Sequence, residues 1–233
     1  MSSMKIEFAV QMTCDSCVEA VKKSLENVEG IKSVDIDLKK GSVVVDSNLP
    51  ITDVQRKLES TGRKVVVKGQ AGSLAAVCIL EASEESNIRG VIRFIQPVPG
   101  VCIIDGTIDD LKPKTYQISI HECGDLSRGC ENVGNIYNPK ATQNARIYGD
   151  LGTIVAQKNG RATFRLEDNV IKISEIIGRS FVLTDKTEDS GIQKKLAAGI
   201  IARSAGLFQN PKTICACDGV TIWDETSKPK STL

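Results

Sequence analysis

Two pairs of cysteines stand near opposite ends of this 233-residue chain. Cys14 and Cys17 lie in Met12-Thr13-Cys14-Asp15-Ser16-Cys17, and Cys215 and Cys217 enclose a single alanine near the C-terminus. Paired thiolates are soft ligands, and they select Cu(I) where imidazole and clustered carboxylates are scarce. His121 is the one histidine of the chain. The other chemistry open to such pairs is electron exchange as disulfides. Soft-metal handling and dithiol exchange are therefore the two chemistries to weigh.

The surroundings of each pair sharpen this. Cys14 and Cys17 fall where a strand passes into a helix, and a helix N-terminus stabilises negative charge and lowers thiol pKa values. Arg63 and Lys64 begin a later strand that a ferredoxin-like fold brings towards that loop. There they would offset the charge of a thiolate–Cu(I)–thiolate centre, or simply be solvated. In an extended segment, residues i and i+2 point to one side. Cys215 and Cys217 can thus share one Cu(I) or trade a disulfide with a substrate thiol. Trp223 is an aromatic residue suited to anchoring the tail on a partner.

The elements that position the first pair occupy residues 4–68. Met4, Ile6, Phe8 and Val10 alternate with polar or small residues, which is a strand period. Val18, Val21, Leu25 and Val28 follow helical spacing up to Gly30. Val34, Ile36 and Leu38 alternate again, and Gly41 turns the chain into Val43-Val44-Val45. Ile51, Val54 and Leu58 mark a second helix closed by Gly62, and Val65-Val66-Val67 a last strand. The order is βαββαβ, a ferredoxin-like arrangement. Gly69-Gln70-Ala71-Gly72-Ser73 reads as a flexible link.

Beyond it the pattern becomes all-β, with strand-like runs at Ala76–Leu80, Gly90–Ile95, Cys102–Ile104, Tyr116–Ile120, Gly152–Gln157, Ala162–Leu166, Phe181–Thr184 and Gly199–Ala202. Turn residues separate them, as expected of a Greek-key sandwich or barrel. From Gly206 the sequence turns irregular, and a tail that is mobile or orders on a partner is expected.

Thirty basic residues against 29 acidic ones leave a net charge of +1 with no basic stripe, so nucleic acid is not an expected partner. The N-terminus has no apolar signal-peptide core, and no run approaches the ~20 apolar residues of a membrane span. A cytoplasmic protein is expected. In that compartment eight cysteines point to metal-binding, redox-active or buried thiols more than to a disulfide framework.

Residues 1–69 resemble the heavy-metal-associated domain, through Met12-Thr13-Cys14-Asp15-Ser16-Cys17 and the βαββαβ order. Residues 70–73 form the linker. Residues 74–205 resemble copper/zinc superoxide dismutase, through Ala76-Val77-Cys78, His121-Glu122-Cys123-Gly124-Asp125, Tyr137-Asn138-Pro139, Gly149-Asp150-Leu151-Gly152, Ile176-Ile177-Gly178-Arg179 and Leu196-Ala197-Ala198-Gly199. That resemblance implies a barrel whose metal chemistry has been lost. Of the family's ligand positions, His121 and Asp150 survive, while Ser119, Ile136, Ile147 and Thr184 replace histidines. Dismutation and zinc in this domain are therefore not expected, and His121 reads as structural. Cys130 matches a disulfide cysteine of the family, but its partner position is Ala198, so Cys123 competes for it or Cys130 stays free. Cys78 and Cys102 read as inert core thiols.

Residues 206–233 complete the chain as a Cys-x-Cys tail. Gly199-Ile200-Ile201-Ala202-Arg203-Ser204-Ala205-Gly206-Leu207-Phe208-Gln209-Asn210-Pro211-Lys212, with Ile214-Cys215-Ala216-Cys217-Asp218-Gly219, resembles the family of copper chaperones for superoxide dismutase. The resemblance implies Cu(I) on Cys14 and Cys17, and disulfide and copper transfer at Cys215 and Cys217. It implies a heterodimer with copper/zinc superoxide dismutase through Gly124, Ile177, Gly178, Ile201, Ala202 and Arg203. A homodimer through the same surface and a membrane copper importer as donor are compatible with it. A general thiol oxidoreductase or a Cu(I) buffer without a specific client remains the alternative.

Overall fold

The computed structural model describes residues 3–72, 74–82, 87–139, 146–186 and 193–210. They fall into two compact units, Met1–Gly72 with Ala205–Leu233, and Ser73–Ser204.

The first unit runs β1 (Met4–Val10), α1 (Asp15–Leu25), β2 (Ile31–Asp37), β3 (Ser42–Ser47), α2 (Ile51–Glu59) and β4 (Val65–Gln70). The strands form one antiparallel sheet in the order β2-β3-β1-β4. Strand alternation sends Ile6, Phe8 and Val10 of β1, with Val43 and Val45 of β3, to the face covered by the helices. All five are buried, as are Val21 and Leu25 of α1 and Ile51, Val54 and Leu58 of α2. Each such side chain contributes about 1.5–3 kcal/mol by leaving water.

Four details differ from the sequence pattern. Helix α1 stops at Leu25 instead of continuing to Gly30: Glu26 turns extended with ψ 138°, and Asn27 follows with a left-handed φ of 56°. Gly69 and Gln70 are not link residues but the end of β4, paired with Glu7 and Ile6. On β4 the register passes from Val67 opposite Phe8 to Gly69 opposite Glu7, so Lys68 is an extra residue and bulges the strand. Finally, Gly206 is not loose but makes a parallel bridge with Gln70. The expected mobility of residues 211–233 lies outside the described residues.

The second unit is all-β but for one turn of helix: β5 (Leu74–Ala82), β6 (Arg89–Val98), β7 (Val101–Asp109), β8 (Thr115–His121), β9 (Asp150–Val155), β10 (Ala162–Asp168), α3 (Ile173–Ile176), β11 (Ser180–Lys186) and β12 (Gln193–Arg203). Every strand run read from the sequence corresponds to one of these strands, most of them longer than the apolar run that signals them. The order is β10-β7-β6-β5-β12-β11-β8-β9, all antiparallel. The terminal strands β10 and β9 touch, which makes the sheet a nearly closed barrel. Its core holds Phe94 and Phe181 edge to face, with ring centroids 6.3 Å apart, among buried residues such as Ile92, Ile104, Ile118, Ile120 and Ile201. Helix α3, which the pattern reading did not anticipate, leads into the Ile177-Gly178-Arg179 turn. Arg179 clamps that turn: its Nη1 donates to the Glu122 carbonyl at 2.7 Å, and its guanidinium lies 3.5 Å from the Tyr137 ring centroid.

Candidate metal centre

Cys14 is the residue before the first turn of α1, with extended backbone (φ −158°, ψ 170°). Its carbonyl accepts the N–H of Cys17 at 2.9 Å, which folds the Cys-x-x-Cys segment into the start of the helix. The two sulfurs then lie 3.5 Å apart. Cys14 is exposed and Cys17 is buried. The Ser16 hydroxyl lies 3.0 Å from Cys14 Sγ, and Thr13 Oγ1 lies 3.8 Å from Cys17 Sγ.

Several donors act on the Cys17 thiol. The Thr13 backbone amide pulls Cys17 most, followed by the Arg63 guanidinium, the Cys14 thiol and the Thr13 hydroxyl, and together they bring its pKa down to about 6 against a weaker opposing effect of burial. Cys17 is therefore a thiolate at neutral pH, the form that binds metal. Arg63 precedes β4, so the expectation that this segment approaches the loop is met at Arg63. The Lys64 carbonyl accepts the Gln11 N–H at 3.1 Å, which ties the two segments together.

Metal–sulfur bonds of about 2.3 Å would meet across the 3.5 Å gap at an angle of roughly 100°. Linear coordination would separate the sulfurs by about 4.6 Å. The exposed Cys14 side chain is the one free to swing outward. Cys215 and Cys217, together with Trp223, lie outside the described residues.

The barrel position that corresponds to a metal site offers a different set of groups. Both ring nitrogens of His121 are hydrogen-bonded, Nδ1 to the Gly134 carbonyl at 2.9 Å and Nε2 to the Ser119 hydroxyl at 3.1 Å. A cavity of about 70 Å³ beside it is lined by Gln117, Ser119, Ile136, Thr184 and Lys195. The Lys195 ammonium donates to the same Gly134 carbonyl at 3.2 Å. Burial first, and then Lys195, holds His121 below the usual imidazole value, so it is neutral. One engaged imidazole, neutral oxygens and a cation do not suit a copper or zinc ion. Among the described residues, no three His, Cys, Asp or Glu side chains converge.

Of the residues expected at a partner surface, Gly124 and Gly178 pack back to back: a Cβ on Gly124 would meet the Gly178 carbonyl oxygen at 2.3 Å. The Gly178 N–H donates to the Ile201 carbonyl at 2.9 Å. Ile177 is half-buried against the core, and Ala202 and Arg203 are exposed. The Ile201 side chain is fully buried, so it faces the barrel core and presents no side-chain surface. Its neighbour Ile200 is 45 % exposed and adjoins Gly124. The outward position of Ile200 beside the inward Ile201 could have been signalled by local alternation in β12. Neither Cys123 nor Cys130 is in a disulfide, and Cys130 packs against the small cluster of Val133, Val182 and Ala198.

Fold and site together define a heavy-metal-associated domain joined to a dismutase-type barrel in which the His121 ring is engaged by Gly134 and Ser119. Family models agree: a heavy-metal-associated domain matches residues 7–64, and copper/zinc superoxide dismutase matches residues 88–205. The copper chaperone for superoxide dismutase of Mus musculus is 46 % identical over 96 % of this chain and 89 % of its own length. That of Homo sapiens is 44 % identical over the same shares. The superoxide dismutase 1 copper chaperone of Saccharomyces cerevisiae is 30 % identical over 94 % of this chain and 92 % of its own. The chain belongs to the family of copper chaperones for superoxide dismutase. Among the described residues, no helix is long and apolar enough to cross a membrane.

Proposed function

We propose that this chain carries copper as Cu(I) on Cys14 and Cys17, delivers it to copper/zinc superoxide dismutase in the cytoplasm, and promotes formation of the client's intrasubunit disulfide. The observation that carries the reading is the sulfur pair itself, 3.5 Å apart with Cys17 ionised at neutral pH. Transfer between thiolate pairs needs close approach and a better final site, so specificity rests on docking and rate on accessible thiolate.

The barrel is the docking module. Gly124, Ile177, Gly178, Ala202 and Arg203, with Ile200 beside them, form the surface for a heterodimer with the client; a homodimer would use the same patch. The barrel has no enzymatic role and takes no zinc. A membrane copper importer would serve as donor.

Cys215 and Cys217 act at the client. Their disulfide is attacked by a client thiolate to give a mixed disulfide, and the second client thiol resolves it. The client loses two electrons and two protons, the tail pair becomes a dithiol, and dioxygen reoxidises it. This sulfhydryl-oxidase-like step is stoichiometric unless dioxygen is present.

The test mixes Cu(I)-loaded protein with reduced, copper-free superoxide dismutase without oxygen, and then admits oxygen. Copper content, disulfide state and activity of the client are followed, with Cys215→Ser/Cys217→Ser alongside. Maturation that requires the tail pair supports the reading. Equal maturation by the variant reduces the chain to a copper carrier, and equal transfer to unrelated thiol proteins reduces it to a buffer or general oxidoreductase.

A further inference from the structure

Glu7 is the anomaly of the first unit. It points away from the helices, on the sheet face where alternation places solvent-facing side chains, yet it is only 2 % exposed. Its Oε1 accepts the Ser42 hydroxyl at 3.2 Å and lies 3.6 Å from the Lys68 ammonium on the β4 bulge. Its Oε2 accepts the backbone N–H of Phe208 at 2.7 Å.

The seat for that distant segment is built. Gly69 stands directly opposite Glu7, and a Cβ there would come within 2.4 Å of the Gly206 carbonyl oxygen. Only glycine lets the segment lie so close. Gly206 bridges Gln70 at the open edge of β4. Gly206–Gln209 is a turn closed by Gln209 N–H to the Gly206 carbonyl at 3.1 Å, and the Gln209 side chain accepts the Gly206 N–H at 3.1 Å. Phe208 occupies the third place of this turn with φ 61°. Glycine is the usual residue there, and a bulky one is strained unless its surroundings hold it. The N–H of that strained residue is the one Glu7 accepts.

We infer that Glu7, with Gly69 and Lys68, forms a docking site for the turn 206–209, and that this anchors the root of the Cys-x-Cys tail on the heavy-metal-associated unit. The functional consequence rests on the roles proposed above for the two cysteine pairs. Cys14 lies seven residues beyond Glu7, and Cys215 lies seven residues beyond Phe208. Seven residues span at most about 25 Å, so a tail pinned at Glu7 has the reach to meet the Cys14 loop. Pinning makes that meeting an event within one unit at raised effective concentration.

The test uses the full, reduced, metal-free chain. Glu7→Ala removes the acceptor, Gly69→Ala puts a methyl against Gly206, and Phe208→Gly keeps the N–H while relieving the strain. Hydrogen exchange of the residue-208 amide and the rate of cross-linking between the two pairs by a short bis-maleimide are measured. Expected are roughly tenfold or faster exchange in Glu7→Ala and Gly69→Ala, slower exchange in Phe208→Gly, and severalfold slower cross-linking in the first two. Unchanged exchange in Gly69→Ala, whose methyl touches no core residue, overturns the anchor even if Glu7→Ala unfolds. Faster exchange with unchanged cross-linking overturns the consequence. Neither readout involves copper or the client, so failure of client maturation leaves the anchor standing, and loss of the anchor leaves tail-dependent maturation standing.

Discussion

Cys14 and Cys17, with sulfurs 3.5 Å apart, are unlike partners: one is exposed at the helix entrance, the other buried beneath it and drawn towards ionisation. The pair combines a preformed thiolate with a side chain able to hand its ligand bond to an incoming thiol. Under the proposed function, that pairing would support release by ligand exchange, in which one bond forms as another breaks.

Thiolate absorbance in the ultraviolet should therefore show one cysteine titrating near pH 6 in the metal-free chain. Arg63→Ala should move that midpoint back towards the ordinary 9.0. Because the folded value is depressed, the stability it brings is complete above 9.0 and is lost as pH falls through about 6. Copper affinity should weaken over the same fall, as protons compete for the sulfur. A midpoint that Arg63→Ala leaves unmoved would remove Arg63 from the site.

Native-state alkylation followed by mass spectrometry should sort the barrel thiols by environment. Burial pushes both Cys78 and Cys102 up to about 12, and both are inaccessible, so neither should react before unfolding. Cys123 is exposed and should react readily, with the half-buried Cys130 slower. Protection of Cys123 and Cys130 together on the native protein would indicate a disulfide between them.

Stability of the barrel should depend on the charge of His121. Its folded pKa lies below 6.5, chiefly from burial with a smaller push from Lys195, while the Gly134 hydrogen bond, and less so Glu122, pull the other way. The unfolded chain then binds the proton more readily, so urea stability should fall as pH drops below 6.5. His121→Gln should flatten that dependence and cost about 0.5–1.5 kcal/mol at neutral pH through the lost hydrogen bond to the Gly134 carbonyl, which keeps Lys195 as a donor. An undiminished pH dependence in the variant would place the titrating group elsewhere.

Arg203→Glu and Ile200→Asp change exposed residues of β12 and should leave the barrel folded while lowering client maturation at least several-fold. The Arg203 effect should shrink in high salt, which screens exposed charges. Gly178→Val is a harsher test, since φ 79° strains any side chain there. Undiminished delivery by all three variants would move the docking surface off this patch.

The fold of both units was legible because their apolar periods are clean. Ile6, Phe8 and Val10 at period two, and Ile51, Val54 and Leu58 at helical spacing, are buried as written, since each element has one face to hide. The pairing of Cys14 and Cys17 was equally legible, because its geometry is local to one helix entrance. Arg63 was anticipated in place but not in strength, as a pKa depends on distances that no spacing encodes. Other outcomes depended on contacts between residues far apart in the chain. Alternation made Glu7 a surface residue, yet it is buried, and one of its partners is the backbone of Phe208, 201 positions away. Ile201 looked available for a partner until the facing of β12 turned it inward and left Ile200 outside. Composition and local period set which segments can form elements and which residues can do chemistry. Which polar group is covered, and by what, is decided when the sheets close and remote segments meet.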